Sequence, residues 1–376
     1  IHLYHAPGET NDQIFVWLPQ FKALFPGDNF YKAFPNLYTI RGTPYRDLVG
    51  WVRSLDIMRY LKPDYLIPSH SRPLYGKDQI YKALTNYRDA IQFVHDQTIR
   101  MMNKNMTPDE ISSQIKLPTH LQDSPFLEEF YGTPAWSARN VFSGYLGWFD
   151  GNPANLNPLP PVAAGKRYVD VMGGADQIME KASIYFDQGD YRWVAEMLSH
   201  LVFAEPNNTD ARSLLARTYD QLGYQSESGP WRDLYLTGAY ELRHNGPEKG
   251  FDVANAKGLF MHTSLERYFD TLAARLDGEA ADGEELTINF TFPDLNETHV
   301  VKIENAVLHH YKGEPDPNAD ATITQDHETF VNIAVKNIKP LEAIVDGKLE
   351  VDNLLAMRKF RSLMVDPDFT FDIVLP

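Results

Sequence analysis

The pattern of apolar residues in this 376-residue chain predicts an α/β segment, then an all-helical segment, then an α+β segment. Three observations carry that prediction. Up to about residue 85, short apolar runs alternate with stretches of helical spacing; from about 86 to 250 helical spacing dominates; from about 256 strong period-two alternation sets in. A chain of this length suits two or three domains better than one, and the expected divisions are 1–85, 86–250 and 256–376.

The chain opens in IHLYHAPG, which reads as a strand in mid-domain. QIFVWLP and KALF are strand-like, YRDLVGWVRSLDIMRYL has helical apolar spacing, DYLIP is a short strand, and KDQIYKALTNYRDAIQFVHDQTIRMMN is a long amphipathic helix. In TPDEISSQI, Thr107 is an N-cap, Pro108 takes the first helical position, and acids occupy the first turn, where the helix dipole favours them. FDGNPANLNPLPPV lacks helical periodicity and is expected to be extended. GDYRWVAEMLSHLVFAEPNNTDARSLLARTYDQLGY reads as two antiparallel helices joined at Pro206-Asn207-Asn208. It resembles a single tetratricopeptide-like unit, with Tyr191, Ala195, Leu198, Ala211, Leu215 and Tyr219 expected between the helices. One such unit cannot bury its own apolar face, so it has to pack on a neighbour or on another subunit. In the last segment LTINFTF, THVVKIENAVLHHY and ATITQD alternate as strands, HETFVNIAVKN and NLLAMRKFRSLM are helical, and FTFDIVL is expected to close as a strand.

A formal net charge of -16 disfavours nucleic acid and anionic membrane as partners, since both demand clustered Lys and Arg. An anionic substrate would need a locally basic pocket. With no cysteine, disulfides and thiolate metal sites are excluded, and any metal has to be held by imidazole and carboxylate. No apolar run approaches the roughly 20 residues that span a bilayer, and the first residues lack the pattern of a secretory leader.

Three strand-like runs end in groups that ligate divalent metals. Glu9 follows Pro7-Gly8, Asp28 follows Pro26-Gly27, and His70 follows the stop at Pro68 in DYLIPSHSRP. Turn formation alone explains a polar residue after Pro-Gly, so each is also readable as a solvated turn. Taken together they form one candidate site, because the carboxyl ends of strands in open sheets are where such groups gather. Without a metal, Glu9 and Asp28 would repel and one would take up a proton. Asn29 and Tyr31 could face the same site, although turn formation accounts equally well for Asn29.

The run HAPGETNDQ...FPGDNFYKAFPNLYTIRGTPYRD...LIPSHSRP, with YGTPAW, GYLGWFDGNPANL and GGADQIMEKASIYFDQGDYRWVAEMLSHLVFAEPNN further on, resembles the metallo-β-lactamase-fold alkyl sulfatases, in their linear primary-alkylsulfatase branch. The resemblance covers essentially the whole chain. It implies the C-terminal part of a metallo-β-lactamase fold, a helical dimerisation domain, and a C-terminal domain similar to sterol carrier protein 2. It also implies two zinc ions per full-length subunit, held by an early His-x-His-x-Asp-His cluster and by a later set corresponding to Glu9, Asp28 and His70, with Asp28 bridging. Arg41 in YTIRG corresponds to a sulfate-binding arginine, and Tyr145 in GYLGWF to a tyrosine reaching the same pocket. The His-x-His-x-Asp-His cluster does not occur in these residues, the nearest histidines being His2 and His5, so the chain is expected to be the C-terminal part of a longer enzyme. Trp136 stands where some relatives carry a histidine near the substrate. Relatives are commonly exported, which favours a periplasmic or secreted location.

The expected reaction is hydrolysis of an alkyl sulfate to alcohol and sulfate by a homodimer. Arg41 suits the anion because its planar guanidinium forks two donors onto a tetrahedral oxyanion; its plainer reading is a surface arginine paired with Asp47. Tyr145 is also readable as a core residue, since GYLGWF is apolar throughout. MHTSLERYFDTLAARL and NLLAMRKFRSLM are expected to wall an apolar tunnel that gathers the alkyl tail, at about 0.8 kcal/mol per buried methylene. Two other readings stay open: a metallo-hydrolase of another ester class, and a lipid-binding dimer without catalysis.

Overall fold

The computed structural model describes residues 1–246 and 250–376. By density of internal contacts the chain divides into two units, 1–245 with 373–376, and 246–372. The last residues of the expected 86–250 segment, 247–249, lie outside the described residues.

The first unit begins with β1 (His2–His5), β2 (Ile14–Leu18) and β3 (Ala23–Phe25), followed by α1 (Leu48–Tyr60), β4 (Tyr65–Leu66), β5 (Leu74–Tyr75) and α2 (Lys77–Met102). The strands form one sheet in sequence order, antiparallel except for the parallel pair of β3 and β4. The strand expected at KALF starts one residue late, because Lys22 sits in a left-handed turn. Helix α1 starts where Asp47 accepts a hydrogen bond from the Val49 backbone, and it buries Leu48, Trp51, Leu55 and Met58 at helical spacing. Helix α2 runs through the expected division at 85/86. Its apolar face, with Ile80, Leu84, Tyr87, Ile91 and Val94, shares one core with Phe15 and Leu24 of the sheet.

Helices α3 (Pro108–Gln114), α4 (Thr119–Gln122) and α5 (Pro134–Leu146) add Ile111, Leu121 and Val141 to that core. Thr107 caps α3 as expected, with Glu110 completing a reciprocal capping box that holds its carboxyl below the usual range through the Thr107 backbone N–H. FDGNPANLNPLPPV is not wholly extended: Asn152 caps a 3-10 turn at Pro153–Asn155, and α6 (Pro161–Val171) begins on a proline that needs no N–H there. Then come α7 (Ala175–Asp187), α8 (Tyr191–Ala204), α9 (Thr209–Gln225) and α10 (Gly229–His244). Between α8 and α9, Leu198, Ala211 and Leu215 are buried and Ala195 and Tyr219 partly so. Tyr191 instead packs edge-on against Phe186 of α7. The unit therefore covers itself with α6, α7 and α10.

FTFDIVL is not a strand. The backbone N–H groups of Ile373, Val374 and Leu375 donate to the buried Glu241 carboxylate on α10, which takes the place of a neighbouring strand as acceptor.

The second unit has α11 (Lys257–Met261) and α12 (Leu265–Ala273), then β6 (Leu286–Phe292), β7 (Glu297–Glu304), β8 (Val307–Lys312) and β9 (Ala321–Gln325), then α13 (His327–Ala334), α14 (Pro340–Val345), β10 (Leu349–Val351) and α15 (Leu354–Ser362). Its mixed sheet runs β10-β9-β6-β7-β8, with β6 and β9 parallel. Leu265, Phe269 and Leu272 line one stripe of α12 and meet the alternating residues Ile288, Phe290 and Phe292 of β6. Phe360 of α15 packs on Phe290, so the helices expected to wall a tunnel contribute their apolar faces to a single core.

Candidate active site

Because β1 is antiparallel to β2, and β2 to β3, strands β1, β3 and β4 point the same way. Their exits share one rim, and Glu9, Asp28 and His70 follow those exits. Side chains cross-link the rim. Asn29, fully buried, donates to the Ala6 carbonyl at 2.7 Å and accepts from the Glu9 backbone N–H at 3.1 Å. Ser54 of α1 donates to the Pro7 carbonyl at 2.7 Å, and Ser71 accepts from the Lys32 backbone N–H at 2.6 Å. Gly8 is required for this approach: a Cβ there would lie 2.1 Å from Asn29 Oδ1. Asn29 is thus a clamp between two strand exits, and Tyr31 is a buried phenol accepting from the Asn36 backbone.

Asp28 Oδ1 and His70 Nδ1 lie 2.6 Å apart. Glu9 is bonded instead to Arg46, whose Nη1 donates to Glu9 Oε1 at 2.9 Å and also to the Asn36 carbonyl. Burial pushes the Glu9 carboxyl above its usual value; Arg46 opposes the rise, and the charge of Asp28 adds to it. The expected repulsion between Glu9 and Asp28 is present, although burial is the larger cause. Among the described residues, no three His, Asp or Glu side chains stand together in an arrangement ready for a metal ion. Two carboxylates and an imidazole are nonetheless the donor types a divalent cation takes, and a buried acid raised despite its arginine is the charge balance a cation relieves.

Arg46 is the residue sequence reasoning missed. It lies five positions after Arg41 in the same loop, is buried, and its Nε has no partner among the described atoms. No local signal separates the two arginines. Arg41 is exposed in the turn closed by the Gly42 N–H to Thr39 carbonyl bond. Its plainer reading is not borne out, since the ion pairs of the described residues include none between Arg41 and Asp47, and Asp47 caps α1. Tyr145 is not a core residue: it is 53% exposed, and Leu146 and Trp148 beside it are more so. Its hydroxyl lies 2.8 Å from His95 Nε2. Trp136 is buried edge-to-face on Trp231, its indole N–H without a partner among the described atoms. His5 bonds the Asn11 carbonyl at the β1–β2 turn, and His2 is exposed on the same strand.

Residues 107–245 match a family model described as alkyl sulfatase dimerisation, and residues 254–376 one described as alkyl sulfatase C-terminal. The chain is 39% identical to an (R)-specific secondary-alkylsulfatase from Pseudomonas sp., over 92% of its own length and 52% of the relative's. It is 34% identical to a linear primary-alkylsulfatase from Pseudomonas sp. (strain ATCC 19151), over 96% of its own length and 70% of the relative's. The solved structure of the stereoselective inverting sec-alkylsulfatase Pisa1 from Pseudomonas sp. superposes with a TM-score of 0.91 at 37% identity, covering 100% of this chain and 60% of that one. Against three of its curated relatives the chain spans 52% to 58% of their length. A shared fold across every described element, together with identity of this order along nearly the whole chain, means that the chain belongs to the alkylsulfatase family.

Proposed function

We propose that the protein carrying this chain hydrolyses alkyl sulfate esters such as dodecyl sulfate to alcohol and inorganic sulfate, with zinc at the rim and as a homodimer through the helical segment. The observation that supports the reading is that Glu9, Asp28 and His70 follow the exits of three strands that run the same way, with Asp28 Oδ1 and His70 Nδ1 2.6 Å apart. In this reading the segment 1–85 is the C-terminal part of a metallo-β-lactamase-like domain, 86–250 a dimerisation domain, and 256–376 a sterol-carrier-like domain. A divalent cation held there would supply Lewis acidity and bring the pKa of its bound water down to near neutrality.

Asp28 and His70 provide the paired donors, and Glu9 the third, its second oxygen left free by the single bond to Arg46. Arg46 neutralises part of the buried acid through one bond to its Oε1, leaving Oε2 to a cation. Arg41, exposed and without a partner among the ion pairs, offers its fork to the sulfate oxygens, and Tyr145 offers a hydroxyl to the same head group. Sulfate release from dodecyl sulfate by the full-length protein tests the reading. Asp28→Ala is expected to abolish it and Arg41→Ala to lower it at least about tenfold. Undiminished turnover by Asp28→Ala overturns the site. On a panel of neutral esters, equal losses from Arg41→Ala favour another ester class.

A further inference from the structure

His95 lies on α2 and Tyr145 on α5, fifty positions apart, yet their polar atoms meet. His95 Nδ1 is 2.8 Å from Asp96 Oδ1, His95 Nε2 is 2.8 Å from the Tyr145 oxygen, and the two rings are 5.8 Å apart. The imidazole side chain is 15% exposed, whereas Tyr145 is 53% exposed, so the chain of bonds runs from a largely sheltered imidazole out to an accessible hydroxyl. Tyr45 closes the other side. Its ring lies where a Cβ on Gly144 would come within 2.1 Å, and its phenol is pushed up to about 12, by burial first and then by Tyr145. Tyr45 directly precedes Arg46, the partner of Glu9, so consecutive loop residues reach the Tyr145 surroundings and the rim.

The carboxylate of Asp96 can only accept, so Nδ1 carries the hydrogen. Neutral His95 then has a lone pair at Nε2, which takes the Tyr145 O–H as donor and leaves only phenol lone pairs facing outward, a repulsive surface for an anion. Protonated His95 donates from Nε2 instead, and the Tyr145 hydrogen is freed to point outward. The groups facing His95 are Asp96 on its own helix and Tyr145 on α5, with Gln92 touching the far Asp96 oxygen at 3.4 Å.

We propose that His95 is a positioning residue for the reaction, its proton setting whether Tyr145 presents a donor or an acceptor to the anionic head of the substrate. The proposal rests on the sulfate ester reading and couples binding of the anion to proton uptake at His95.

The test uses the full-length, metal-loaded enzyme with dodecyl sulfate as substrate and inorganic sulfate as inhibitor, across about pH 5.5 to 8.5. In the parent, KM and the sulfate inhibition constant are expected to rise several-fold toward high pH. His95→Gln places a permanent amide donor against the Tyr145 oxygen, so its KM is expected to stay low and flat with pH while kcat follows the parent. His95→Phe is expected to raise KM about tenfold at every pH, and adding Tyr145→Phe to it is expected to change nothing further. A His95→Gln profile identical to the parent's, or additive losses in the double variant, overturns the proposal while leaving the ester reading intact. Unchanged KM in Tyr145→Phe alone overturns it together with the role given to Tyr145, and absence of sulfate release in the parent overturns the ester reading itself.

Discussion

The two five-stranded sheets differ in what their residues do. In the first, strands of two to five residues carry little pairing of their own, and their exits hold Glu9, Asp28, His70 and the side chains that tie those exits together. In the second, β6 and β7 run seven and eight residues, and Phe269 sits against Phe290, His299, His310 and Phe330 on the face covered by α12. Short strands ending in polar groups make a rim that can be arranged for chemistry, while long alternating strands make a packed face. The lesson is that damage to the first sheet's rim should register in activity and damage to the second sheet's face in stability.

Phe269→Ala is the sharpest way to break that contrast. It empties the centre of an aromatic cluster and is expected to cost the second unit about 3–5 kcal/mol, read from denaturant unfolding; a loss below about 1 kcal/mol would mean the face is not tightly packed. A smaller effect is expected from acid. Burial holds the His299 imidazole below its ordinary value of 6.5; the hydrogen bond to Glu297 opposes this and the nearby His310 adds to it. The unfolded chain therefore binds the proton first, so this contribution is complete above about pH 6.5 and falls as the pH drops toward the folded value. Unfolding free energies between about pH 7.5 and 5.5 should show the decline, and His299→Leu should flatten it. The smallest change is Thr107→Ala, expected to cost about 1 kcal/mol by opening the capping box of α3, with no effect on sulfate release. If it instead abolished turnover, α3 itself would belong to the site.

Much of the first sheet was legible because its strands are apolar runs stopped by proline, and much of the second because its strands alternate. The candidate trio of Glu9, Asp28 and His70 was legible only as a position in sequence. Nothing in the run from Glu9 to Arg46 announces that these two will pair across 37 residues, and two arginines in RGTPYRD look equivalent until one is buried. His95 was hidden for a different reason: in QFVHDQT it reads as one polar residue of an amphipathic helix, and its partner lies on another helix. FTFDIVL misled because its alternation suits a strand, whereas its backbone donors found a buried carboxylate on α10.

Sequence by itself determined most of the order of helices and strands, the cap at Thr107, and the restriction of any metal ligands to imidazole and carboxylate, since each depends on residues within a few positions or on composition alone. Only the tertiary structure decided which charges meet: Arg46 on Glu9, Asp28 on His70, His95 on Tyr145. Those pairs are chosen by where the packed core returns the backbone, and burial then fixes their energies, because a polar group removed from water has to find its partner among whatever the fold has brought near.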